Sequence, residues 1–175
     1  MTATEPEQGQ RAWIGLGSNL GDPPAQLRSA LAELGSLPGS RLLRHSRFYR
    51  SAPWGNTAQP PFVNAVAELA TTLPPRALLD ALLAIERAHG RCRDGTRWGP
   101  RTLDLDLLLH GAGVVREEGL TLPHPFLGER AFVLVPLAEL EPALAIPGVG
   151  SVAALLARLD AGTCVPLEPG CARTE

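Results

Sequence analysis

The chain has 175 residues, 45% of them hydrophobic, with 16 basic and 18 acidic residues and a formal net charge of −2. That length fits one domain with a sizeable core, and the near-neutral charge supplies no global basic field for nucleic acid or an anionic membrane. All the basic residues are arginine, which excludes a lysine Schiff base and a Walker-type phosphate lysine. Cys92, Cys164 and Cys171 are odd in number and lack metal-type spacing, so free thiols in a reducing compartment are expected. No apolar run is long enough for a membrane span and no signal region opens the chain, so a soluble cytoplasmic protein is expected.

Residues 1–10 are polar and aperiodic and are expected to form a tail. Ala12–Leu16 reads as a short apolar strand running into Gly15-Leu16-Gly17-Ser18-Asn19-Leu20-Gly21-Asp22. Those glycines suggest a tight strand-to-helix turn, either a plain connection or a phosphate cradle. Asp22 suits an N-cap and Pro23 the first helical position, before a stripe of Leu27, Ala30, Leu31 and Leu34. Arg41–Arg50 is expected as a strand of mixed polarity, followed by a Pro/Gly/Asn-rich loop over residues 51–61. Phe62–Ala70 returns as a strand with Phe62, Asn64 and Val66 on one face. Pro74-Pro75 opens a helix with the stripe Leu78, Leu82, Ile85 and His89, stopped by Gly90.

A second long loop, Arg91–Arg101, leads to a strand with Asp104 and Asp106 on one face and Leu103, Leu105, Leu107 and Leu109 on the other. A turn at 111–113, a short strand near Val114-Val115 and a rigid Thr121–Pro125 loop follow. Ala131–Val135 is expected as a last strand, and Val152, Leu155, Leu156 and Leu159 as a terminal helix, with 160–175 a second tail. The order predicts a single α+β domain over 1–175. Its core is ferredoxin-like, βαββαβ, an antiparallel sheet with helices packed on it and extra C-terminal elements.

Asp104 and Asp106 stand roughly 7 Å apart along their strand and can converge on a hard cation. Magnesium suits ligands that are few and oxygen-only, leaving room for water and phosphate. Arg91, Arg93, Arg97 and Arg101 read either as a solvated basic loop or as a bidentate grip on a nucleoside triphosphate. Glu86 is expected to pair with one of them. Trp54, Phe62, Trp98 and Phe132 are core aromatics or stacking surfaces. Asn64 beside Phe62 is equipment for a flat, hydrogen-bonding heterocycle. His124 is a loop histidine or a phosphate donor.

Together these motifs resemble the 6-hydroxymethyl-7,8-dihydropterin pyrophosphokinase family of folate biosynthesis, from about Trp13 to about Leu140. The resemblance rests on Gly17-Ser18-Asn19-Leu20, Phe48-Tyr49-Arg50-Ser51, Gly90-Arg91-x-Arg93, the run Arg97–Asp106, Leu122-Pro123-His124-Pro125 and Arg130-Ala131-Phe132. It implies transfer of pyrophosphate from ATP to the hydroxymethyl group of the pterin, releasing AMP. It further implies two Mg2+ ions held by Asp104 and Asp106, with Arg93 and Arg101 stabilising charge alongside them. ATP contacts are implied for Glu86, Arg91, Arg93, Arg97, Trp98, Arg101, Leu107, Thr121, His124 and Arg130. Ser51, Pro53, Trp54, Phe62, Asn64, Trp98 and Phe132 would hold the pterin. The expected partners are these small molecules alone, acting on a monomer without nucleic acid or membrane. The alternatives are another magnesium-dependent nucleotidyl transferase and an RNA-binding ferredoxin-like module, which would present a basic sheet face with exposed aromatics.

Overall fold

The computed structural model describes residues 9–53, 55, 57–91 and 99–167. Strand β1 (Gln10–Ser18) lies between β4 (Phe62–Thr71) and β5 (Asp104–His110), antiparallel to both. β2 (Ser40–His45) and β3 (Tyr49–Ser51) both pair with β4, and β10 (Cys164–Pro166) adds to β3 at one edge. Among the described residues this gives a six-stranded sheet. With α1 (Pro23–Gly35) after β1 and α2 (Pro75–Ala88) after β4, the ferredoxin-like βαββαβ plan is present. The expected Arg41–Arg50 strand breaks into β2 and β3.

α1 starts as its sequence predicts, with the Asp22 side chain accepting from Ala25 N–H at 3.1 Å and Pro23 in the first turn. α2 ends before Gly90, whose φ of +78° provides the left-handed residue that halts a helix. Both helices cover one sheet face: Leu27, Leu34, Leu78 and Leu82 pack with Ile14, Leu16, Leu69, Leu105 and Leu107. Alternation along β5 does not run its full length. Register shifts opposite Trp13/Ile14, and Leu109, expected beside Leu107, instead joins Trp13 and Leu108 on the opposite face. An extra residue in one strand has that effect, because it resets which side chains point up.

The opposite face carries α3 (Ala131–Leu140) and α4 (Val152–Leu156), packed through Val133, Leu134, Leu137, Val152 and Leu155 on Trp13, Val66 and Leu108. The Ala131–Val135 segment, expected as a strand, is therefore the start of a helix. A short run that is apolar all round has no periodicity to separate a buried strand from a buried helix. Pro136 sits inside that helix rather than ending it. Likewise Cys164–Pro166, within the stretch expected as a tail, is β10. Smaller elements are β6 (Val115–Glu117) with β7 (Leu120–Leu122), a single 3-10 turn at Leu127–Glu129, and β8 (Ala145–Ile146) with β9 (Gly150–Ser151). Arg44 and Arg47 are spent on structure. Arg44 Nε meets the buried Glu68 at 2.6 Å and Arg47 Nε meets Glu139 at 2.5 Å.

Candidate active site

The site is laid out by the register of β1. Gly15 lies between Val66 of β4 and Asp106 of β5, and Gly17 between Asn64 and Asp104. Residues opposite one another in a sheet share a face, so Asn64 and Asp104 flank a strand that presents no side chain between them. A Cβ on Gly17 would stand 3.1 Å from Asn64 Oδ1. Gly15 and Gly17 thus belong to the strand and form a bare floor; only Gly21, with φ +68°, serves the turn. Above this floor is a cavity walled by Phe62, Asn64, Ser51 and Phe132, with Asp104 and Asp106 at one end. Asn64 is buried and donates from Nδ2 to Ser51 Oγ at 2.6 Å.

A second cavity lies on the other side of the two aspartates, lined by Glu86, Arg91, Arg101, Leu107, Thr121 and His124, with Leu79 and Leu83 of α2 as an apolar wall. Arg101, Asp104 and Asp106 line both cavities. The two hollows therefore meet at the carboxylate pair.

Ion pairs organise the junction. Asp104 receives Arg91 Nη1 at 2.5 Å on one oxygen and Arg101 Nη1 at 2.7 Å on the other. Glu86, almost wholly buried, accepts from Arg91 Nη1 at 2.5 Å and from Leu105 N–H at 2.8 Å, which fixes α2 to β5 behind the site. Arg130 Nη1 lies 3.6 Å from Asp106 Oδ2, and its guanidinium stacks 5.0 Å from the Phe126 ring centre and 5.5 Å from that of Phe132. Burial, then the neighbouring Asp104 charge, pushes the Asp106 carboxyl up to about 7. Burial, helped by Arg130, lowers His124 to about 4, so its imidazole is neutral at physiological pH. His124 Nδ1 accepts from Phe126 N–H at 3.2 Å, which places the proton on Nε2.

Among the described residues no cluster of three or more His, Cys, Asp or Glu could hold a metal ion. Among the described residues, the carboxylates that line both cavities are the two aspartates. That set fits magnesium, which usually takes one or two carboxylates and completes its shell with water and substrate phosphates. A cation there would also relieve the repulsion between Asp104 and Asp106.

Of the expected residues, Ser51, Phe62, Asn64 and Phe132 share the first cavity, and Glu86, Arg91, Arg101, Leu107, Thr121 and His124 the second. Arg130, expected on the nucleotide, lines the first cavity. Pro53 lies in an adjoining hollow with Phe132, Leu159 and Asp160. Trp54, Arg93, Arg97 and Trp98 lie outside the described residues. Sequence reasoning missed Gly15 and Gly17 as a floor, although their spacing of two on one strand face was the signal. It also missed Leu79 and Leu83, the apolar residues of α2 left over beside its core stripe.

A family model described as 7,8-dihydro-6-hydroxymethylpterin-pyrophosphokinase (HPPK) matches residues 13–142. The chain belongs to the HPPK family. Among similar proteins, one from Methylorubrum extorquens is 49% identical over 150 residues, covering 86% of this chain and 94% of that one. Another, from Pseudomonas aeruginosa, is 50% identical over 148 residues, covering 85% and 91%. Both are named 2-amino-4-hydroxy-6-hydroxymethyldihydropteridine pyrophosphokinase. A crystal structure of a Plasmodium falciparum HPPK-DHPS triple mutant with pteroate aligns with TM-score 0.68 at 13% identity, covering 87% of this chain. This chain spans 44% of that longer one, and at such identity the likeness is one of fold. The HPPK match begins and ends within a few residues of the Trp13–Leu140 stretch that carries the sequence resemblance.

Proposed function

We propose that this chain transfers pyrophosphate from ATP to 6-hydroxymethyl-7,8-dihydropterin, giving the pterin diphosphate and AMP in folate biosynthesis. The observation that carries this reading is the meeting of two cavities at one carboxylate pair. Such a transfer needs two substrates end to end, with charge control where they touch. The pterin would lie on the Gly15/Gly17 floor between Phe62 and Phe132, its edge read by Asn64. The two strand spacings from Asn64 to Asp104, roughly 9–10 Å, suit a two-ring heterocycle whose hydroxymethyl arm reaches the aspartates. ATP would occupy the second cavity, with Leu79 and Leu83 against its base.

Each charged side chain then has a definite task. Arg91 and Arg101, which neutralise Asp104 in the free protein, are placed to turn toward phosphate oxygens, where a planar guanidinium binds bidentately. His124 can donate from Nε2 without bringing a charge of its own. Glu86 orients Arg91. Arg130, packed on Phe132 and facing Asp106, spans the pterin wall and the junction. Arg93 and Arg97 are assigned to the nucleotide, Trp54 to the pterin and Trp98 to both, on the family resemblance alone. Asp104 and Asp106 would hold two Mg2+ ions, which when bound neutralise phosphate charge and polarise the attacking hydroxyl.

The sheet face that an RNA-binding module would expose carries α3 and α4, and its Trp13 is buried. No helix among the described residues is long and apolar enough to cross a membrane. We read the protein as a cytoplasmic monomer acting on these small molecules. Incubation with ATP, Mg2+ and the hydroxymethylpterin tests the reading. AMP formation that requires the pterin supports it. Release of inorganic pyrophosphate points to a nucleotidyl transferase, and the absence of both products to a binding module.

A further inference from the structure

Asn19 sits just past the end of β1 and is 4% exposed. It lines neither cavity, yet its carboxamide is tied to both substrate halves. Nδ2 donates to Gln59 Oε1 and to the Pro60 carbonyl, each at 3.0 Å, within the loop that leads to Phe62. Oδ1 accepts from Arg101 N–H at 2.8 Å, and the Asn19 N–H donates to the Arg101 carbonyl at 3.1 Å. Neighbouring hydroxyls do not share this work: Ser18 Oγ and Thr102 Oγ1 are buried without a hydrogen-bond partner. Among the described residues, Asn19 is the side chain bonded to both the Gln59-Pro60 segment and Arg101.

We propose that Asn19 is a positioning residue for the transfer. It holds the backbone at Arg101 and the Gln59-Pro60 segment to the end of β1, so that the arginine at the junction and the pterin wall keep one register. Only a side chain with a donor and an acceptor on the same planar group can serve both loops at once. Asn does so with three bonds from two atoms, whereas Asp keeps the Arg101 arm and loses the Pro60 arm. The inference rests on the pyrophosphokinase reading.

Steady-state kinetics with separate pterin and ATP titrations test it. Asn19→Ala should lower kcat and raise the pterin KM, each by about tenfold, the scale of one or two lost hydrogen bonds. Asn19→Asp should restore kcat to within about threefold while the pterin KM stays high, since its oxygen still receives Arg101 N–H. Gln59→Ala should raise the pterin KM alone, and it reads that arm even if Asn19→Ala fails to fold. In an Arg101→Ala background, Asn19→Ala should cost kcat much less than it does in the wild type, because the residue through which it acts is gone. Equal kcat penalties in both backgrounds, or an Asn19→Asp enzyme as slow as Asn19→Ala, would overturn the proposal in favour of a general folding role. A wild-type protein that forms no pterin-dependent AMP would instead overturn the underlying functional reading.

Discussion

Gly17→Ala separates the cavity floor from the strand that carries it. The backbone at Gly17 is ordinary strand, and alanine there is favoured over glycine by roughly 0.5–1 kcal/mol through reduced freedom of the unfolded chain. That gain is opposed by crowding of Asn64, so folding stability should change by no more than about 1–3 kcal/mol. The new methyl, however, would sit 3.1 Å from Asn64 Oδ1 and 3.9 Å from Phe62 Cδ1, in the space assigned to the pterin. Asn64 cannot retreat freely, because its Nδ2 is bonded to Ser51 Oγ at 2.6 Å. The methyl would also crowd a flat ring lying on the floor, and overpacking that exists only in the bound state, at about 1–3 kcal/mol, converts to a loss of roughly 5- to 150-fold in pterin affinity. Calorimetric titration of the pterin against protein loaded with a non-hydrolysable ATP analogue measures it. The analogue's own affinity should stay within about twofold, since its cavity is not touched. Gly15→Ala is the internal control: its Cβ would meet Leu108 at 3.5 Å and Asp106 Cβ at 3.8 Å, ordinary contacts, so its effect should be smaller. Wild-type pterin affinity in Gly17→Ala would refute the placement of the pterin on this floor.

Asp104→Ala and Asp106→Ala should each cut AMP formation by about a thousandfold or more, the several kcal/mol of charge stabilisation lost with the cation site. Turnover within tenfold of wild type in either variant would remove that residue as a ligand. Ser51→Ala strands the buried Asn64 amide, so a stability loss of about 1–3 kcal/mol in urea unfolding and weaker pterin binding are expected, with ATP-analogue binding unchanged. The His124 imidazole, at about 4 when folded and near 6.5 when unfolded, stabilises the fold fully above pH 6.5 and progressively less toward pH 4. Between pH 7 and pH 5 the wild type should lose about 1–2 kcal/mol more than His124→Gln, as followed by urea unfolding at each pH. Parallel pH profiles would show that the ring is not held neutral. Chelating Mg2+ should weaken ATP-analogue binding at least tenfold in the wild type and far less in Asp106→Asn, as read by calorimetry; equal binding with and without the ion would count against the metal assignment.

Much of the fold was legible because its signals were local. Asp22 and Pro23 mark a helix start, Gly90 a helix stop, and the Leu78, Leu82, Ile85 stripe a buried face, each through interactions within one element. What escaped depended on tertiary context. Whether AFVLVPLAEL is strand or helix is decided by the sheet face it lands on, not by its own pattern. The shift at Leu108 depends on pairing with β1, so Leu109 could not be assigned from alternation alone. The chemistry of the site followed the same division. The Asp-x-Asp strand and its arginines stand close in sequence and were read together, whereas the floor needed Gly17 to be seen between Asn64 and Asp104, which only strand register reveals.

That register also explains why two carboxylates are tolerated side by side. Among the described residues, Glu86, Asp104 and Asp106 face Arg91, Arg101 and Arg130, three acids to three bases. A triphosphate placed in the second cavity, as proposed, would break the balance. It would compete with Asp104 for Arg91 and Arg101, and every guanidinium that turned to phosphate would leave a partly buried carboxylate uncompensated, at a cost that rises steeply away from water. On the proposed reading, cations held by Asp104 and Asp106 would remove that cost, while the arginines stay free to grip the nucleotide. The acid pair would thus suit the loaded site, and on this reading its arginine partners are stand-ins that a nucleotide with its metal would displace together.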